Sequence, residues 1–343
     1  MRNHNYLTTF LNHFRGVLKI YTFIDKTRSP TLRATLVNKT YSLNLISNMI
    51  ATLLFILKAL LAMTKALYRY IIPKSKKSVN GETVLVTGAG DGIGKEVALI
   101  YASAGATVVC IDINAEANEE TIRTIANLGY AKAYAYTCDV SDYQQVVFII
   151  NKIEQEVGNV TILVNNAGIL FGNPFCELSA TEIEKMIQVN LMSHFWTVKA
   201  ILPSMLKNNY GHIVSVASIF TIISMPYFVP YSASKFAVQG FIDGLQNELA
   251  LNKNNKIRTT LIHPCITNTA LRRGANATFS SLIPVFNPKD VAAGIVNAQR
   301  RDMVEAAIPW GLHLTLRSFL RLCPAEVVQL AYEYFQVKLN PHK

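Results

Sequence analysis

Residues Glu82 to Asp112 read ETVLVTGAGDGIGKEVALIYASAGATVVCID and decide the fold of this chain. The short apolar run from Thr83 to Val86 is typical of a buried parallel strand. Four glycines follow, then an apolar pattern of helical spacing, and a second β-branched run ends at Asp112. This order predicts a strand, a tight turn, a helix and a second strand, which together form one β-α-β unit.

The glycine turn of this unit is suited to bind a phosphate group. Glycine lets the backbone turn sharply and approach a ligand without an intervening side chain. The helix that follows begins with unpaired N–H groups and the positive end of its dipole, where a pyrophosphate fits. A tight loop before a surface helix is the alternative interpretation. The candidate contacts in the turn are Gly88, Asp91, Gly92, Ile93 and Gly94.

Asp112 indicates which dinucleotide such a turn would bind. It follows Gly94 at the end of the second predicted strand, where its carboxylate can accept hydrogen bonds from an adenosine ribose. The same negative charge would repel a 2′-phosphate, and the charge of Asp91 adds to that repulsion. We therefore expect NAD(H) rather than NADP(H).

The basic charge of the chain is concentrated at its start. Before Gly81, Lys and Arg are frequent and Asp25 is the single acid, whereas basic and acidic residues nearly balance from Gly81 to the end of the chain. A nucleic-acid-binding protein carries its basic residues on a folded face, and the balanced second part argues against that class. The five cysteines are scattered and lack metal-binding spacing, so we expect neither a metal site nor a disulfide framework.

The chain before the β-α-β unit divides into a leader, an apolar stretch and a linker. The leader, residues 1–42, is basic and rich in Ser and Thr, a composition that also describes a mitochondrial transit peptide. Residues 43–72 are the predicted membrane anchor, which can span a bilayer if Lys58 reaches an interface. An amphipathic anchor in one leaflet and a buried core helix are the alternatives. Residues 73–80 form a basic linker whose lysines could rest on anionic headgroups.

Strand-like and helical segments continue to alternate after the first unit. This alternation predicts an α/β fold with a doubly wound parallel sheet. Ligands bind such sheets at the carboxyl ends of the strands. Asp112, Asp139 and Asn166 each follow a predicted strand and should meet at that edge. For Asp139, a helix cap or an Asx turn is the alternative.

Tyr231 and Lys235 form a candidate acid–base pair. They are four positions apart and therefore share one face of a predicted helix. A phenol with a pKa of about 10 is a poor base at neutral pH, and a nearby ammonium favours its phenolate form. Ser218 ends a predicted strand, from where its hydroxyl can donate to a substrate oxygen. A pair on the surface of an amphipathic helix is the alternative.

Together these motifs resemble those of the short-chain dehydrogenase/reductase family. Thr87 to Gly94 (TGAGDGIG) resembles the family's cofactor turn, Asn165 to Gly168 (NNAG) its sheet-stabilising motif, and the pair Tyr231 and Lys235 its active site. The resemblance covers about residues 80–300. It implies a single Rossmann domain, which we assign to residues 81–308.

The resemblance also implies a role for each site residue. Tyr231 is the expected acid and base, and Ser218 stabilises the reacting oxygen. Lys235 lowers the pKa of Tyr231 and contacts the nicotinamide ribose, while Asn190 orders a water molecule. Beyond the glycine turn, the expected cofactor contacts are Asp112, Asp139, Val140, Asn166, Ala167, Tyr231, Lys235, Pro264, Thr267 and Thr269.

One motif departs from the family pattern. The family usually reads Pro-Gly-x-Val-x-Thr after the sixth strand. Here Pro264 and Thr269 match, but Cys265 replaces the glycine and Thr267 stands at the valine position. We expect His263, just before this motif, to be an ordinary residue at the end of a strand.

Apolar segments flank the predicted substrate cleft. Residues 219–230 (IFTIISMPYFVP) separate the catalytic Ser from the Tyr, and we expect Leu170 and Phe228 to contact substrate together with Ser218 and Tyr231, with core packing as the alternative for the apolar pair. An apolar cleft beside a membrane anchor favours a retinoid, a steroid or a fatty alcohol. Residues 270–286 are a candidate lid. Residues 309–343 are a candidate amphipathic, membrane-associated segment, with a segment that caps the cleft or plain packing on the domain as the alternatives.

The anchor, Asp112 and the terminal aromatic segment resemble one subgroup, the epidermal retinol dehydrogenases and the lipid-droplet 17β-hydroxysteroid dehydrogenases. The resemblance implies a membrane-bound, NAD(H)-dependent oxidoreductase that interconverts a lipophilic alcohol and its carbonyl. It also implies a homodimer at the endoplasmic reticulum or on lipid droplets, with the catalytic domain facing the cytosol. The alternatives are a mitochondrial enzyme and a catalytically weak membrane scaffold that retains the dehydrogenase fold.

Overall fold

The chain divides into two compact units, Met1–Pro73 and Lys74–Lys343. The structure, a computed structural model, describes residues 30–221, 224–273, 277–278, 284–309, 323–324, 326–327, 329–330, 333 and 338–339. Residues 1–29 of the predicted leader, parts of the candidate lid and most of the C-terminal segment lie outside the described residues. The division into leader, anchor, linker and catalytic domain stays a prediction.

The described part of the first unit is a long helix, α1, Pro30–Ile71. It begins within the predicted leader, before the anchor boundary that the apolar composition suggested at residue 43. Its segment Tyr41–Lys65 is long and apolar enough to cross a membrane by length and composition. Apolar side chains of this segment are exposed within the structure, with Leu53 at 66% and Phe55 at 70%. A buried core helix, one of the alternatives, would hide these side chains.

The second unit is built on a parallel sheet of seven strands. These strands are β1 Thr83–Thr87, β2 Thr107–Asp112, β3 Ala133–Thr137, β4 Ile162–Asn165, β5 His212–Val216, β6 Arg258–Pro264 and β8 Glu305–Ile308, while β7, Ala277–Thr278, lies outside the sheet. Their order is β3-β2-β1-β4-β5-β6-β8, and every neighbouring pair is parallel. The order reverses between β1 and β4, so the sheet is doubly wound, and the predicted fold class is confirmed.

Helices cover both faces of the sheet. They are α2 Gly92–Ser103, α3 Ala115–Asn127, α4 Tyr143–Glu156, α5 Ala180–Ile187, α6 Ser193–Asn208, α7 Val229–Ala250, α8 Ala270–Arg273 and α9 Pro288–Arg300. Along β1, Val84 and Val86 pack into the apolar core that α2 and α9 share, and Leu85 packs into the core of α4, α6 and α7 on the opposite face. Because both faces are covered, the strand is apolar without alternation.

Short elements complete the unit. A π turn, Gln188–Met192, joins α5 to α6, and the 3₁₀ turns Phe175–Glu177 and Ile219–Thr221 lie in loops. A separate antiparallel pair links β7 to β9, Lys338–Leu339. The pairing ties a described piece of the candidate lid region to the end of the chain.

The amino edge of the sheet, where the strands begin, is closed by polar contacts. The backbone N–H of Lys77 donates to the Arg300 carbonyl at 2.7 Å, and the ammonium groups of Lys74 and Lys77 pair with Asp302. These two lysines of the predicted linker thus pair with a carboxylate of the domain. The expected contact of the linker with anionic headgroups stays a prediction.

Buried polar side chains lie behind this edge. Nε2 of His212 lies 2.8 Å from Thr260 Oγ1, and the Tyr101 hydroxyl donates to Gln299 Oε1 at 3.1 Å. Gln299 Nε2 lies 3.3 Å from Nδ1 of His212 and connects the two contacts. Burial lowers the pKa of His212 to about 4, so the ring is neutral at physiological pH. Pairing of this kind removes the penalty for burying polar groups.

Candidate active site

A cleft of about 410 Å³ opens at the carboxyl edge of the sheet, where the strands end. Its wall brings together most of the residues that the sequence predicted for the site. Those predicted residues are Gly88, Asp91, Gly92, Ile93, Asp112, Asn166, Ala167, Leu170, Ser218, Tyr231, Lys235, Pro264, Thr267 and Thr269.

The glycine turn forms one end of the cleft and has no room for side chains. Gly88 has a φ of +66°, and a Cβ there would lie 2.9 Å from the Ala167 Cα. A Cβ on Gly94 would lie 1.9 Å from the Gly88 carbonyl oxygen, a separation that no real side chain tolerates. Asp91 precedes α2 and makes no side-chain cap hydrogen bond. The start of α2 therefore presents bare backbone to the cleft, as a pyrophosphate site requires.

The Asp112 carboxylate is fixed at the wall of the cleft by two backbone N–H groups. Gly90 N–H donates to Oδ2 and Asn114 N–H donates to Oδ1, both at 2.9 Å. A carboxylate oxygen has two lone pairs, so each oxygen can still accept a hydrogen bond from a ribose hydroxyl. The turn and Asp112 together fit the dinucleotide that the sequence suggested.

Asn166 joins β4 to β1 at the point where the strand order reverses. Its side-chain Nδ2 donates to the Thr87 carbonyl at 3.0 Å and to the Gly88 carbonyl at 3.2 Å. The Thr87 hydroxyl accepts from the N–H groups of Asn166 and Ala167 at 3.0 and 3.1 Å. These bonds hold the two strand ends and the glycine turn in one arrangement.

Tyr231 and Ser218 meet on the opposite part of the wall. Tyr231, near the start of α7, is 7% exposed, and Ser218 follows β5. Burial raises the pKa of Tyr231, and a hydrogen bond with Ser218 opposes that rise. The sequence led us to expect that Lys235 lowers the pKa of Tyr231, but in this structure the effect of burial is larger and the pKa of Tyr231 is raised. The phenol is therefore protonated at neutral pH and can donate a proton.

Lys235 lies one helical turn after Tyr231, as its spacing predicts. Its Nζ donates to the Val216 carbonyl at 3.0 Å and lies 5.8 Å from the centre of the Tyr231 ring. The side chain is 3% exposed. Burial lowers the pKa of Lys235 to about 8. The group is thus charged at neutral pH and begins to lose its proton only slightly above it.

Asn190 lies behind the cleft wall, in the π turn, and is fully buried. Its Oδ1 accepts from the N–H of Ile169 at 2.7 Å, and its Nδ2 donates to the Ile169 carbonyl at 2.9 Å and to Ser234 Oγ at 3.2 Å. The amide therefore holds the loop that follows NNAG against α7. Its expected role in ordering a water molecule stays a prediction.

Four other predicted residues do not reach the cleft wall. Gly94 is buried inside the turn, and Phe228 is fully buried in an apolar cluster with Met186 and Phe220. Asp139 forms an Asx turn, with Oδ1 accepting from Ser141 N–H at 2.9 Å, which is the alternative that the sequence left open. Val140, next to it, is buried. All four remain predictions as cofactor or substrate contacts.

The Asp139 side chain is also part of a small polar cluster. Its Oδ2 accepts from Lys185 Nζ at 3.0 Å, and its Oδ1 accepts from the Ser141 hydroxyl at 2.6 Å. Burial acts to raise the pKa of this carboxyl, but the hydrogen bonds from Ser141 and Lys185 outweigh it and the pKa is lowered. The carboxylate is therefore charged and oriented beside the sheet edge.

The cleft also has apolar wall residues that the sequence did not single out as contacts. Ile219, Phe220, Ile266 and Leu271 belong to this group. Cys265, at the glycine position of the family motif, lies there too, and burial raises its pKa to about 11, so its thiol is protonated. The departure from the family pattern was the only sequence signal for that residue. Among the described residues, no three His, Cys, Asp or Glu side chains are grouped to hold a metal ion.

Comparison with known families identifies the fold and its chemistry. A family model described as short chain dehydrogenase matches residues 82–279, more than half of the chain. This chain is a short-chain dehydrogenase/reductase. The dehydrogenase is an oxidoreductase that acts on alcohols with a nicotinamide cofactor.

The dehydrogenase has curated relatives over most of its length. It is 42% identical to short-chain dehydrogenase/reductase family 16C member 6 of Bos taurus, over 77% of this chain and 84% of the relative. It is 37% identical to epidermal retinol dehydrogenase 2 of Homo sapiens, over 78% of this chain and 88% of the relative. It is 36% identical to human 17-beta-hydroxysteroid dehydrogenase 13, over 77% and 87%. The predicted subgroup is therefore confirmed.

Solved structures share the fold of the dehydrogenase. A short-chain dehydrogenase/reductase from Burkholderia phymatum in complex with NAD aligns with a TM-score of 0.65 at 27% identity, over 74% of this chain and 96% of that one. A metagenomic short-chain oxidoreductase in complex with NADP aligns with a TM-score of 0.57 at 26% identity, over 68% and 98%. The neighbours thus include complexes with either nicotinamide dinucleotide.

Proposed function

We propose that this dehydrogenase is a membrane-bound, NAD(H)-dependent enzyme that interconverts a lipophilic alcohol and its carbonyl, with Tyr231 as the acid and base. The observation that carries the proposal is that Ser218, Tyr231 and Lys235 meet at the wall of one cleft. The two hydroxyl groups can then share one substrate oxygen, and Lys235 lies on the same helix face as the tyrosine.

The proton transfer follows from these three side chains. In reduction, the protonated Tyr231 donates its proton to the carbonyl oxygen of the substrate, and its raised pKa suits this step. In oxidation, Tyr231 accepts the hydroxyl proton, and the hydrogen bond with Ser218 and the charge of Lys235 favour the phenolate. Ser218 donates to the oxygen on which charge develops. A nicotinamide, when bound, supplies the hydride chemistry.

The choice of NAD(H) is supported by the charge at the adenosine end of the cleft. Asp112 and Asp91 both line the wall there. Each oxygen of the Asp112 carboxylate accepts one backbone N–H and keeps a second lone pair for a ribose hydroxyl. The negative charge of the carboxylate disfavours a 2′-phosphate at the same place. The glycine turn would hold the pyrophosphate of the same cofactor.

The lipophilic substrate class is supported by the apolar wall near Tyr231. Leu170, Ile219, Phe220 and Leu271 line the cleft, and Cys265 with its protonated thiol adds a weakly polar surface. Such a wall gains free energy by covering the hydrocarbon part of a retinoid, a steroid or a long-chain alcohol. The relatives named for retinol and for 17β-hydroxysteroids act on alcohols of this kind.

Membrane attachment is supported by helix α1 of the first unit. The segment Tyr41–Lys65 contains 25 residues, which at about 1.5 Å per residue exceeds the roughly 30 Å hydrocarbon core of a bilayer. Residues 53–57 (LLFIL) are consecutive apolar residues, and at about 3.6 residues per turn they cover the whole circumference. An in-plane amphipathic helix would keep a polar face here. We therefore favour a spanning helix over an anchor in one leaflet, in an endoplasmic reticulum or lipid-droplet membrane.

A homodimer is supported by an aromatic pair on α6 and α7, of which one ring is exposed and the other is partly buried. The Phe195 and Phe241 rings lie 4.3 Å apart between centroids, and Phe195 is 38% exposed. Paired aromatic rings at a surface suit the centre of an interface. These are the helices that contain or follow the site residues Asn190 and Tyr231.

The experiment that tests the function measures NADH formation by the detergent-solubilised full chain with retinol, steroid and long-chain alcohol substrates. We expect turnover with one class and a fall of about 10³ or more in kcat for Tyr231→Phe, because that variant keeps the ring and loses the proton. NADP⁺ in parallel tests the cofactor. NAD binding without turnover of any substrate class would favour the scaffold alternative.

Topology and insertion are tested separately from chemistry. Carbonate extraction of membranes should leave the full chain in the pellet, and replacing Leu54 and Ile56 by Lys should release it because charges at the bilayer centre are costly. Release of the unaltered chain would contradict insertion. The sequon at Asn159 is exposed, so a glycan there would show that the catalytic unit lies in the lumen and not in the cytosol.

A further inference from the structure

His263 is a fully buried histidine beneath the turn that carries Ser218. It lies on β6, next to the last residue of that strand, and is not part of the cleft wall. Its Nε2 lies 2.9 Å from Oε1 of Glu305 on β8. Its Nδ1 lies 2.6 Å from the Thr221 hydroxyl and 3.1 Å from the Ser218 carbonyl oxygen. The ring thus connects the first residue of β8 to the turn after β5.

The contacts of this ring fix its orientation. A carboxylate only accepts hydrogen bonds, so the nitrogen that faces Glu305 carries a proton. The other nitrogen faces the Thr221 hydroxyl, which also lies 2.8 Å from the Ser218 carbonyl. Glu305, His263 and Thr221 therefore form a continuous chain of polar contacts that ends on the backbone of the catalytic serine. The layout is that of a carboxylate that orients an imidazole, and an imidazole that orients a hydroxyl.

The turn itself is short and depends on these contacts. Within it, Thr221 N–H donates to the Ser218 carbonyl at 3.1 Å, and Phe220 N–H donates to the Ser218 hydroxyl at 3.2 Å. The first bond closes the turn on the Ser218 backbone, and the second holds the Ser218 hydroxyl. A change in the anchor of the turn would therefore move a hydroxyl that must lie within hydrogen-bond distance of a reacting oxygen.

We infer that His263 and Glu305 are positioning residues, which hold the turn Ser218–Thr221 so that the Ser218 hydroxyl faces Tyr231. The inference rests on the proposed function of Ser218 and Tyr231. It assigns to His263 more than the ordinary end of a strand that its sequence position suggests. Catalysis by oriented groups is sensitive to displacements of about 1 Å, so a looser turn should lower kcat before it affects cofactor binding.

A matched control exists at the other edge of the same sheet. His212 is also buried, also bonds a threonine hydroxyl at 2.8 Å and also lies near an acid, Asp302, at 3.9 Å. It has no contact with the turn of Ser218 among those the structure describes. His263→Gln and His212→Gln therefore remove similar buried groups, and only the first removes a contact to the catalytic turn.

The kinetic test compares these variants with the wild type in the full, detergent-solubilised chain. We expect His263→Gln to lower kcat about tenfold or more with KM for NAD⁺ within about twofold, and His212→Gln to keep kcat. Thr221→Val should reproduce the loss, and Thr221→Ser, which restores the hydroxyl, should recover most of it. Equal losses of thermal stability with wild-type kcat in both histidine variants would overturn the inference.

A second measurement does not depend on turnover. Hydrogen–deuterium exchange of the peptide that contains Ser218–Thr221 should be faster in His263→Gln and unchanged in His212→Gln, because the Thr221 amide is bonded to Ser218. Unchanged exchange in His263→Gln would overturn the inference. If the wild type has no Tyr231-dependent turnover, the proposed function fails, and the exchange result alone decides whether His263 holds the turn.

Discussion

The two edges of the sheet use buried polar side chains in opposite ways. At the amino edge, Asp302 is paired with Lys77, and the buried His212 is neutral and bonded to Thr260. At the carboxyl edge, Lys235 is buried with a pKa that burial lowers to about 8. One edge neutralises its buried groups, whereas the other retains a charge without a carboxylate partner in the contacts that the structure describes.

Under the proposed function, this difference separates an edge arranged for stability from an edge arranged for chemistry. A buried polar group stabilises a fold when its partners replace water, and a buried charge without an opposite charge destabilises it. Lys235 is therefore expected to lower the stability of the folded protein, while its proposed role is to support the reaction. Substitutions at the carboxyl edge should lower kcat and can raise the free energy of unfolding. Substitutions at the amino edge should lower the free energy of unfolding and leave kcat unchanged.

The largest expected effect comes from Lys235→Met, which keeps the length of the side chain and removes the charge. We expect kcat to fall by about 10². The free energy of unfolding at pH 7 should rise by about 3 kcal/mol, because the lysine pKa falls from 10.5 in the unfolded chain to about 8 in the folded chain. The destabilisation is complete below pH 8 and disappears as the pH rises toward 10.5.

Thermal unfolding in detergent at pH 7 and pH 10 measures the stability part of this prediction. Lys77→Met is the matched control, because the same change at the amino edge removes the partner of Asp302. That variant should be no more stable than the wild type and should keep its kcat. A stabilised Lys77→Met together with a destabilised Lys235→Met would reverse the comparison.

The next effect is a loss of folding stability in acid, through His212. Burial lowers the pKa of His212 from 6.5 to about 4, so the unfolded chain takes up a proton before the folded chain does. Stability should therefore fall as the pH drops from about 6.5 to 4, by about 3 kcal/mol from this group. Unfolding curves of the wild type and His212→Gln between pH 7 and 4 test it. The variant should show a shallower slope, and identical slopes would contradict the prediction.

A smaller effect is expected at the adenosine end of the carboxyl edge. Asp112→Asn keeps an oxygen that can accept one of the two backbone N–H bonds and removes the negative charge. We expect the ratio of kcat/KM for NADP⁺ to that for NAD⁺ to rise about tenfold, because the 2′-phosphate is no longer repelled. Asp139→Asn, whose carboxylate lies outside the cleft wall, is the control and should change this ratio less.

The smallest effect is Tyr101→Phe at the amino edge. The change removes a hydroxyl that donates to Gln299 in the core and should lower the free energy of unfolding by about 1–2 kcal/mol. The kcat should stay within about twofold, since the group is remote from the cleft wall. Tyr130→Phe, at a residue that is 41% exposed, should leave both quantities unchanged. A loss of kcat in Tyr101→Phe would mean that the edges are not independent.

The sequence predicted the fold and the composition of the cleft because both depend on local patterns. The apolar run of β1, the glycine turn and the acid that ends β2 all lie in the single stretch from Glu82 to Asp112. Their spacing predicts the strand, the turn and the helix. The helical spacing of Tyr231 and Lys235 likewise needs no tertiary information. The seven-stranded parallel sheet follows from the repeated alternation of such units.

What the sequence could not predict depends on contacts between distant segments. His263 and Glu305 lie on different strands, and only the pairing of β6 with β8 brings them together. Lys77 precedes the first strand of the sheet and Asp302 follows its last helix, so the linker lysine gave no sign of its partner. The raised pKa of Tyr231 depends on its burial, which a helical pattern does not report.

The π turn Gln188–Met192 limits which insertions and deletions this protein can tolerate. A π turn has a wider hydrogen-bonded ring than an α-helical turn and accommodates one extra position within a helix. Loss of one position there would restore a regular helix and rotate the side chains on one side by about 100° relative to the other. Asn190 would then turn away from Ile169. The segment should accept exchanges of side chains far more readily than insertions or deletions.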